Sequence, residues 1–316
     1  MHVRDCVNLN KAKKMQDDEF YTQFSDIEAE LQHYKDFFKD KTIFCNCDNP
    51  YTSNFVKYFV YNFNKLSLKR LIATCYSPDL QLSLFADQKD AQRAYKLNLT
   101  EVKSDNYEDI LKQNPPAPLN GDGDFRSHEC LELLKQADII ATNPPFSLWR
   151  DFVGLLFQNK KQFVILGHHL SVKFSKVFAH LAEQKLWLGT GLNNKKLYFE
   201  RPSFSSEQYA PVTTNWYTNI PVQQHYSLFP LTQKYSSDRF PRYDNFDAIE
   251  VNKAADIPLD FDGIIGVPVS FLKYWNPQQF DIVGCTSASP PYQPVKNLFV
   301  NGQEVFGRVL IRHKKN

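Results

Sequence analysis

Four short apolar runs, at 42–45, 70–75, 138–142 and 163–166, recur between residues 42 and 166 of this 316-residue chain, with amphipathic helical stretches between them. Buried strands that alternate with 3.6-period helices call for a parallel sheet covered by helices, because each parallel crossover needs a dozen or more residues. Ser25 and Glu28 have capping-box spacing ahead of Ile27, Leu31, Tyr34 and Phe38. Ser53 can cap a helix carrying Phe55, Val56, Phe59, Val60 and Phe63, Ser127 one carrying Leu131 and Leu134, and Ser147 one carrying Phe152, Leu155 and Leu156. The segment 95–102 alternates like an added strand, 113–123 reads as loop, and Trp187-Leu188 begins a further strand. Beyond about residue 200 the texture changes to short strands and turns rich in Ser, Thr, Tyr, Asn and Pro. The expected organisation is therefore an α/β domain over 1–200 and an irregular region over 201–316, part of which can return to the core.

Composition narrows the function classes. Basic residues number 37 and acidic 35, so the chain is no polycation, although one basic face stays compatible with nucleic acid. No run of 18 apolar residues is present, and the polar, basic start is unlike a secretory signal. Six cysteines, at 6, 45, 47, 75, 130 and 285, form no C-x-x-C pair, which suits reduced thiols in a cytoplasm and gives no metal set. Only 11 glycines occur, which works against several glycine-rich phosphate loops.

The sharpest feature is Asn143-Pro144-Pro145-Phe146, directly after the apolar run 138–142. Two prolines fix φ and remove two N–H donors, so the chain must leave the sheet there. At the carboxyl end of a parallel strand, the Asn143 amide oxygen and the Pro144 carbonyl then form an acceptor pair suited to one exocyclic amino group. Phe146 offers a face for a flat ring, as needed by an enzyme that turns a base out of its stack. Asn114-Pro115-Pro116-Ala117 and Ser289-Pro290-Pro291-Tyr292 are near misses, since neither follows directly on an apolar strand.

With these residues in place, the chain resembles the EcoRI-type adenine-specific DNA modification methylases. The resemblance is carried by Lys11-Ala12-Lys13-Lys14 with residues 18–23, by 44–50 with 53–55, by 141–146, and late in the chain by 243–250, 266–271 and Asn276-Pro277. It implies a Rossmann-like methyltransferase domain, with a mainly parallel sheet flanked by helices, plus a C-terminal target-recognition region. It implies S-adenosyl-L-methionine as cofactor, with Phe20, Tyr21 and Thr22 over its methionine end. Asn46, Asp48 and Pro50 would lie at the turn after the first strand, and Asp124 and Phe125 near the adenine moiety. Asn143, Pro144, Pro145 and Phe146 would be the catalytic set. The turn from Asp48 to Phe55 departs from most relatives in holding no glycine; a pyrophosphate would need that glycine, whereas S-adenosylmethionine carries no phosphate.

The reaction so implied is in-line methyl transfer to adenine N6, without covalent intermediate or metal, within a type II restriction–modification system whose site the resemblance suggests as GAATTC. The partner would be double-stranded DNA and the enzyme a cytoplasmic bacterial monomer. Asn193, Asn194, Lys195, Lys196 and Arg201 are the expected phosphate or target contacts. Cytosine N4, RNA adenine or a protein glutamine are alternative acceptors for the same fold, and an inactive DNA-binding module is a further alternative.

Overall fold

A computed structural model describes residues 22–77, 94–191, 195–200, 209–288 and 290–315. The chain divides into two compact units: His168 ends the main segment of the first, which also takes in Lys195–Ile220, and the second comprises His169–Asn194 and Pro221–Asn316.

In the first unit, β1 (Thr42–Cys45), β2 (Arg70–Thr74), β5 (Ile139–Thr142) and β6 (Gln162–His168) form a parallel core in the order β2-β1-β5-β6. Antiparallel strands extend both sides. β3 (Tyr95–Leu99) pairs with β2, and the two-residue β4 (Ala117–Pro118) pairs with β3 inside what the sequence reads as loop. On the other side β9 (Tyr209–Thr218) pairs with β6 and β8 (Lys195–Glu200) with β9. β1 and β5 are buried at all four positions, the pattern of strands covered on both faces.

The helices α1 (Phe24–Leu31), α2 (Lys35–Phe38), α3 (Asn54–Tyr61), α4 (Tyr107–Gln113), α5 (His128–Gln136) and α6 (Trp149–Gln158) belong to the same unit. Ser53 and Ser127 cap α3 and α5 as their positions predict. Two other serines do not cap. α1 starts earlier, at Gln23, whose carbonyl accepts from the Asp26 and Ile27 N–H groups, so Ser25 lies inside the helix. After Pro145 the chain makes a 3-10 turn, Phe146–Leu148, closed by the Pro145 carbonyl and the Leu148 N–H at 3.1 Å, and α6 begins only at Trp149. A carbonyl fixed by proline thus takes the place of the Ser147 cap.

The second unit has α7 (Ser175–Ala182) and β7 (Trp187–Leu188). Its sheet has the order β10-β11-β15-β12, from Ala248–Glu250, Ile264–Pro268, Arg308–His313 and Phe280–Cys285, with a hairpin of β13 (Leu298–Val300) and β14 (Gln303–Val305). Its main buried charge is paired: Arg308 donates to Glu250 through Nε at 3.0 Å and Nη2 at 2.5 Å, and the Tyr243 hydroxyl donates to the same carboxylate. Among the described residues no helix is long and apolar enough to cross a membrane.

Gly167, in β6, backs the segment that follows the double proline. A Cβ there would lie 2.4 Å from Trp149 Nε1 and 2.9 Å from the Tyr217 ring, and the Trp149 indole donates to the Leu166 carbonyl at 2.8 Å. Gly167→Ala is expected to lose about 1–3 kcal/mol of stability by overpacking. Gly154→Ala, in α6 with open space around it, should gain about 0.5–1 kcal/mol. Urea unfolding of the two variants checks the pair.

Candidate active site

The carboxyl ends of β1 and β5, adjacent in the sheet, bring the two strongest sequence features together. The register of β5 with β6 ends at Thr142 opposite Ile165, so Asn143 is the first residue off the ladder and half-buried. Phe146, also half-buried, meets the His168 ring edge-on at 6.5 Å between centroids. His168 is the last residue of β6, and its carbonyl accepts from the Tyr217 hydroxyl at 2.8 Å. The amide of Asn143, the Pro144 carbonyl and an aromatic pair therefore share one strand end.

Asp48 follows β1 and is only 6% exposed. Its Oδ1 accepts from Ser53 Oγ at 2.6 Å, its Oδ2 accepts from Thr142 Oγ1, and the Asn143 N–H donates to the same carboxylate. Burial lifts the carboxyl to about 6, and the three donors pull it back only in part. Thr142 also accepts from the Cys47 N–H at 3.2 Å, and the Asp48 N–H donates to the Thr74 carbonyl at 2.9 Å. Sequence reasoning missed Thr142, because a threonine closing an apolar strand carries no signal beyond strand propensity.

The glycine-free turn 49–52 is built without any left-handed residue: no described position from 46 to 55 has a positive φ. Asn49 supplies what glycine supplies elsewhere. Its carbonyl accepts from the Thr52 and Ser53 N–H groups, and its side chain from the Tyr51 N–H at 2.9 Å. The Ser53 hydroxyl then caps α3 by accepting from the Phe55 and Val56 N–H groups. From α4, the Tyr107 hydroxyl donates to the Pro50 carbonyl and pins the turn.

Of the other expected site residues, Thr22 and Asn46 are buried. Thr22 Oγ1 and Asn46 Oδ1 have no hydrogen-bond partner among the described residues. The Asn54 side chain holds the Thr22 carbonyl at 2.8 Å. Asp124 is ion-paired with Arg126 through two contacts, at 2.9 and 2.6 Å, and the Phe125 ring is buried edge-on against Phe152 at 5.1 Å. Gly123 precedes them at φ +77°, where a Cβ would strike the Cys75 carbonyl at 2.1 Å, so this loop lies tightly against the end of β2. Phe20, Tyr21, Asn193, Asn194 and Arg201 lie outside the described residues; of Lys195 and Lys196 the backbone is described, in β8. Among the described residues no cluster of His, Cys, Asp or Glu is arranged to hold a metal ion.

The two near misses have other uses. Asn114 ends α4 and its amide donates back to the Ile110 carbonyl at 3.1 Å. At 290–291 the peptide bond is cis, and the Tyr292 carbonyl accepts from the Cys285 N–H at 2.7 Å, folding the segment onto β12.

The family described as adenine-specific methyltransferase EcoRI matches residues 8–314. The chain is 40% identical to the type II methyltransferase M.EcoRI of Escherichia coli, over 99% of each chain. It is 34% identical to M.MpnI of Mycoplasma pneumoniae, over 98% of each chain. It is also 34% identical to M.MgeORF184P of Mycoplasma genitalium, over 98% of this chain and 99% of that one; both are named type II methyltransferases. No solved structure gives a significant match.

Tyr107 anchors the turn by one hydroxyl. Tyr107→Phe keeps the ring beside Tyr61 and should cost about 1 kcal/mol. Hydrogen exchange at the Thr52 and Ser53 amides should rise severalfold while exchange in β5 stays unchanged.

Proposed function

The chain belongs to the EcoRI family of adenine-specific methyltransferases, and on that premise we propose that it methylates N6 of an adenine turned out of double-stranded DNA, using S-adenosyl-L-methionine. The observation that carries the reading is the placement of Asn143-Pro144-Pro145-Phe146, which leaves the sheet at the carboxyl end of a central parallel strand.

The chemistry follows from those atoms. An adenine N6 lone pair is delocalised into the ring and is a weak nucleophile. The Asn143 amide oxygen and the Pro144 carbonyl accept hydrogen bonds from its two N–H groups, one of whose protons is lost to water once the nitrogen has gained the methyl. Those hydrogen bonds favour a pyramidal nitrogen and stabilise the positive charge that grows on it, so the acceptors count for more in the transition state than in the ground state. Phe146 and His168 offer ring faces and edges to hold the base in plane. The methyl donor supplies an electrophilic sulfonium methyl when bound.

The residues on hand fit that donor. Thr22 Oγ1 and Asn46 Oδ1, buried and unpartnered among the described residues, suit an ammonium group, and Pro50 lies in the turn pinned by Tyr107. Absence of a glycine-rich nest accords with a cofactor that has no phosphate. Phe20 and Tyr21 would cover its methionine end, and Asp124 and Phe125 flank the loop near its adenine. DNA contacts would come from Asn193, Asn194, Lys195, Lys196 and Arg201, and the enzyme would act as a monomer on one strand at a time. A type II role pairs it with a nuclease of the same specificity, for which GAATTC is the site to test first.

Purified protein, plasmid DNA and methyl-labelled cofactor, followed by nucleoside digestion, should place label in N6-methyladenine and protect the plasmid from a nuclease cutting GAATTC. Label confined to N4-methylcytosine or to protein would overturn the reading. Asn143→Ala should lower kcat by about 100-fold or more with Tm little changed, since the residue is only half-buried.

A further inference from the structure

The geometry points to Asp48 as a positioning residue: its carboxylate, held by Ser53, Thr142 and the Asn143 N–H, sets the acceptor pair of the catalytic loop against the turn after β1. This rests on the reading of Asn143 and Pro144 as the groups that receive the amino hydrogens.

A carboxylate is acceptor-only, with about four lone-pair directions. Three of them are taken by protein donors on two elements, and the residue is buried. Such a group is committed to the protein rather than to a ligand. What it holds matters, because the loop beyond it is nearly rigid. Pro144 and Pro145 have fixed φ, and the residues before each proline are confined to extended backbone. The remaining freedom lies at the loop's root, where Thr142 gives way to Asn143. Asp48 grips both sides of that root, through the Thr142 hydroxyl and the Asn143 N–H. Through Ser53 it also grips the first turn of α3, whose cap shares the same hydroxyl. One carboxylate thus sets the spacing between the donor side and the acceptor side of an in-line transfer, where a misplacement near 1 Å costs about 100-fold.

The arrangement is kept against stability. Burial lifts the Asp48 carboxyl to about 6 in the folded protein, above its ordinary 3.8. Its contribution to stability is therefore greatest below pH 4 and is lost as pH rises through 6, so above 6 the ionised form is a net cost. Cys45 is an ionisable neighbour of Asp48, and burial pushes its thiol well above the ordinary thiol range, clear of an acid limb at 6.

The test is a cycle of Asp48→Asn, Thr142→Val and the double variant in the full chain with plasmid DNA, read as total label transferred. Asp48→Asn should lower kcat on the order of 100-fold, leave the Kd for S-adenosylmethionine within threefold, and hold or raise Tm at pH 8. The double variant should be no slower than the slower single, and Thr142→Ser should restore the rate. Wild-type kcat should fall below pH 6, and the Asp48→Asn profile should be flat there. Independently of activity, the Asn143 amide resonance should titrate near pH 6 in wild type and not in Asp48→Asn. A tenfold rise in Kd at unchanged kcat makes Asp48 a ligand and overturns the proposal. So do additive losses in the double variant, a fall in Tm matching the fall in rate, or an Asn143 amide that does not titrate. A wild-type product other than N6-methyladenine overturns the proposed function alone, because the cycle counts all label.

Discussion

A carboxylate buried among three donors joins the ends of β1 and β5, and the rest of the candidate site is arranged around it. Parallel strands bring their carboxyl ends to one edge of the sheet, but the fold alone does not fix the loops that leave that edge. Two prolines stiffen the loop after β5 and Ser53 caps the helix after the neighbouring strand. Stiff pieces still need a common anchor. Asp48 supplies it by hydrogen bonds to both, in surroundings where each bond is strengthened by exclusion of water.

The missing glycines have a physical resolution in the same place. Glycine is needed where φ must be positive or where a ligand must approach backbone closely. Here the turn from 49 to 52 runs without positive φ, and Asn49 closes it with its own carbonyl and side chain. Tyr107 then holds the turn from outside through its hydroxyl. Glycines are spent elsewhere at contacts that admit no Cβ, among them Gly123 against the Cys75 carbonyl and Gly167 against the Trp149 indole.

Much of this was legible in the sequence, for reasons that can be stated. The parallel core was readable because β1, β2, β5 and β6 are built on short apolar runs and bounded by cappable helices, and period and length separate such elements. The double proline was readable because its consequences are covalent. Ser25 and Ser147 misled, since a backbone carbonyl, at Gln23 and at Pro145, served where a hydroxyl was expected. The four-stranded sheet of the second unit was hidden by short strands and long connections, which leave little periodicity to detect. Thr142 and Tyr107 were invisible because their roles depend on partners 94 and 57 residues away, and no local pattern reports a contact at that separation.

Buried polar groups meet their hydrogen-bonding needs in different ways. In the second unit, Glu250, Arg308 and Tyr243 satisfy one another, the arrangement expected of a charge enclosed for the sake of the fold. In the first, Thr22 and Asn46 each keep a buried oxygen with no partner among the described residues, at about 1–3 kcal/mol apiece. Asp48 adds a carboxylate lifted to about 6 by burial. Costs of this kind are offset where a ligand brings the missing donors, which is the part the proposed reading gives to a polar cofactor. The fold would be more stable with apolar residues at these positions, and the cofactor and the amino group of the proposed reaction would then lose the partners assigned to them.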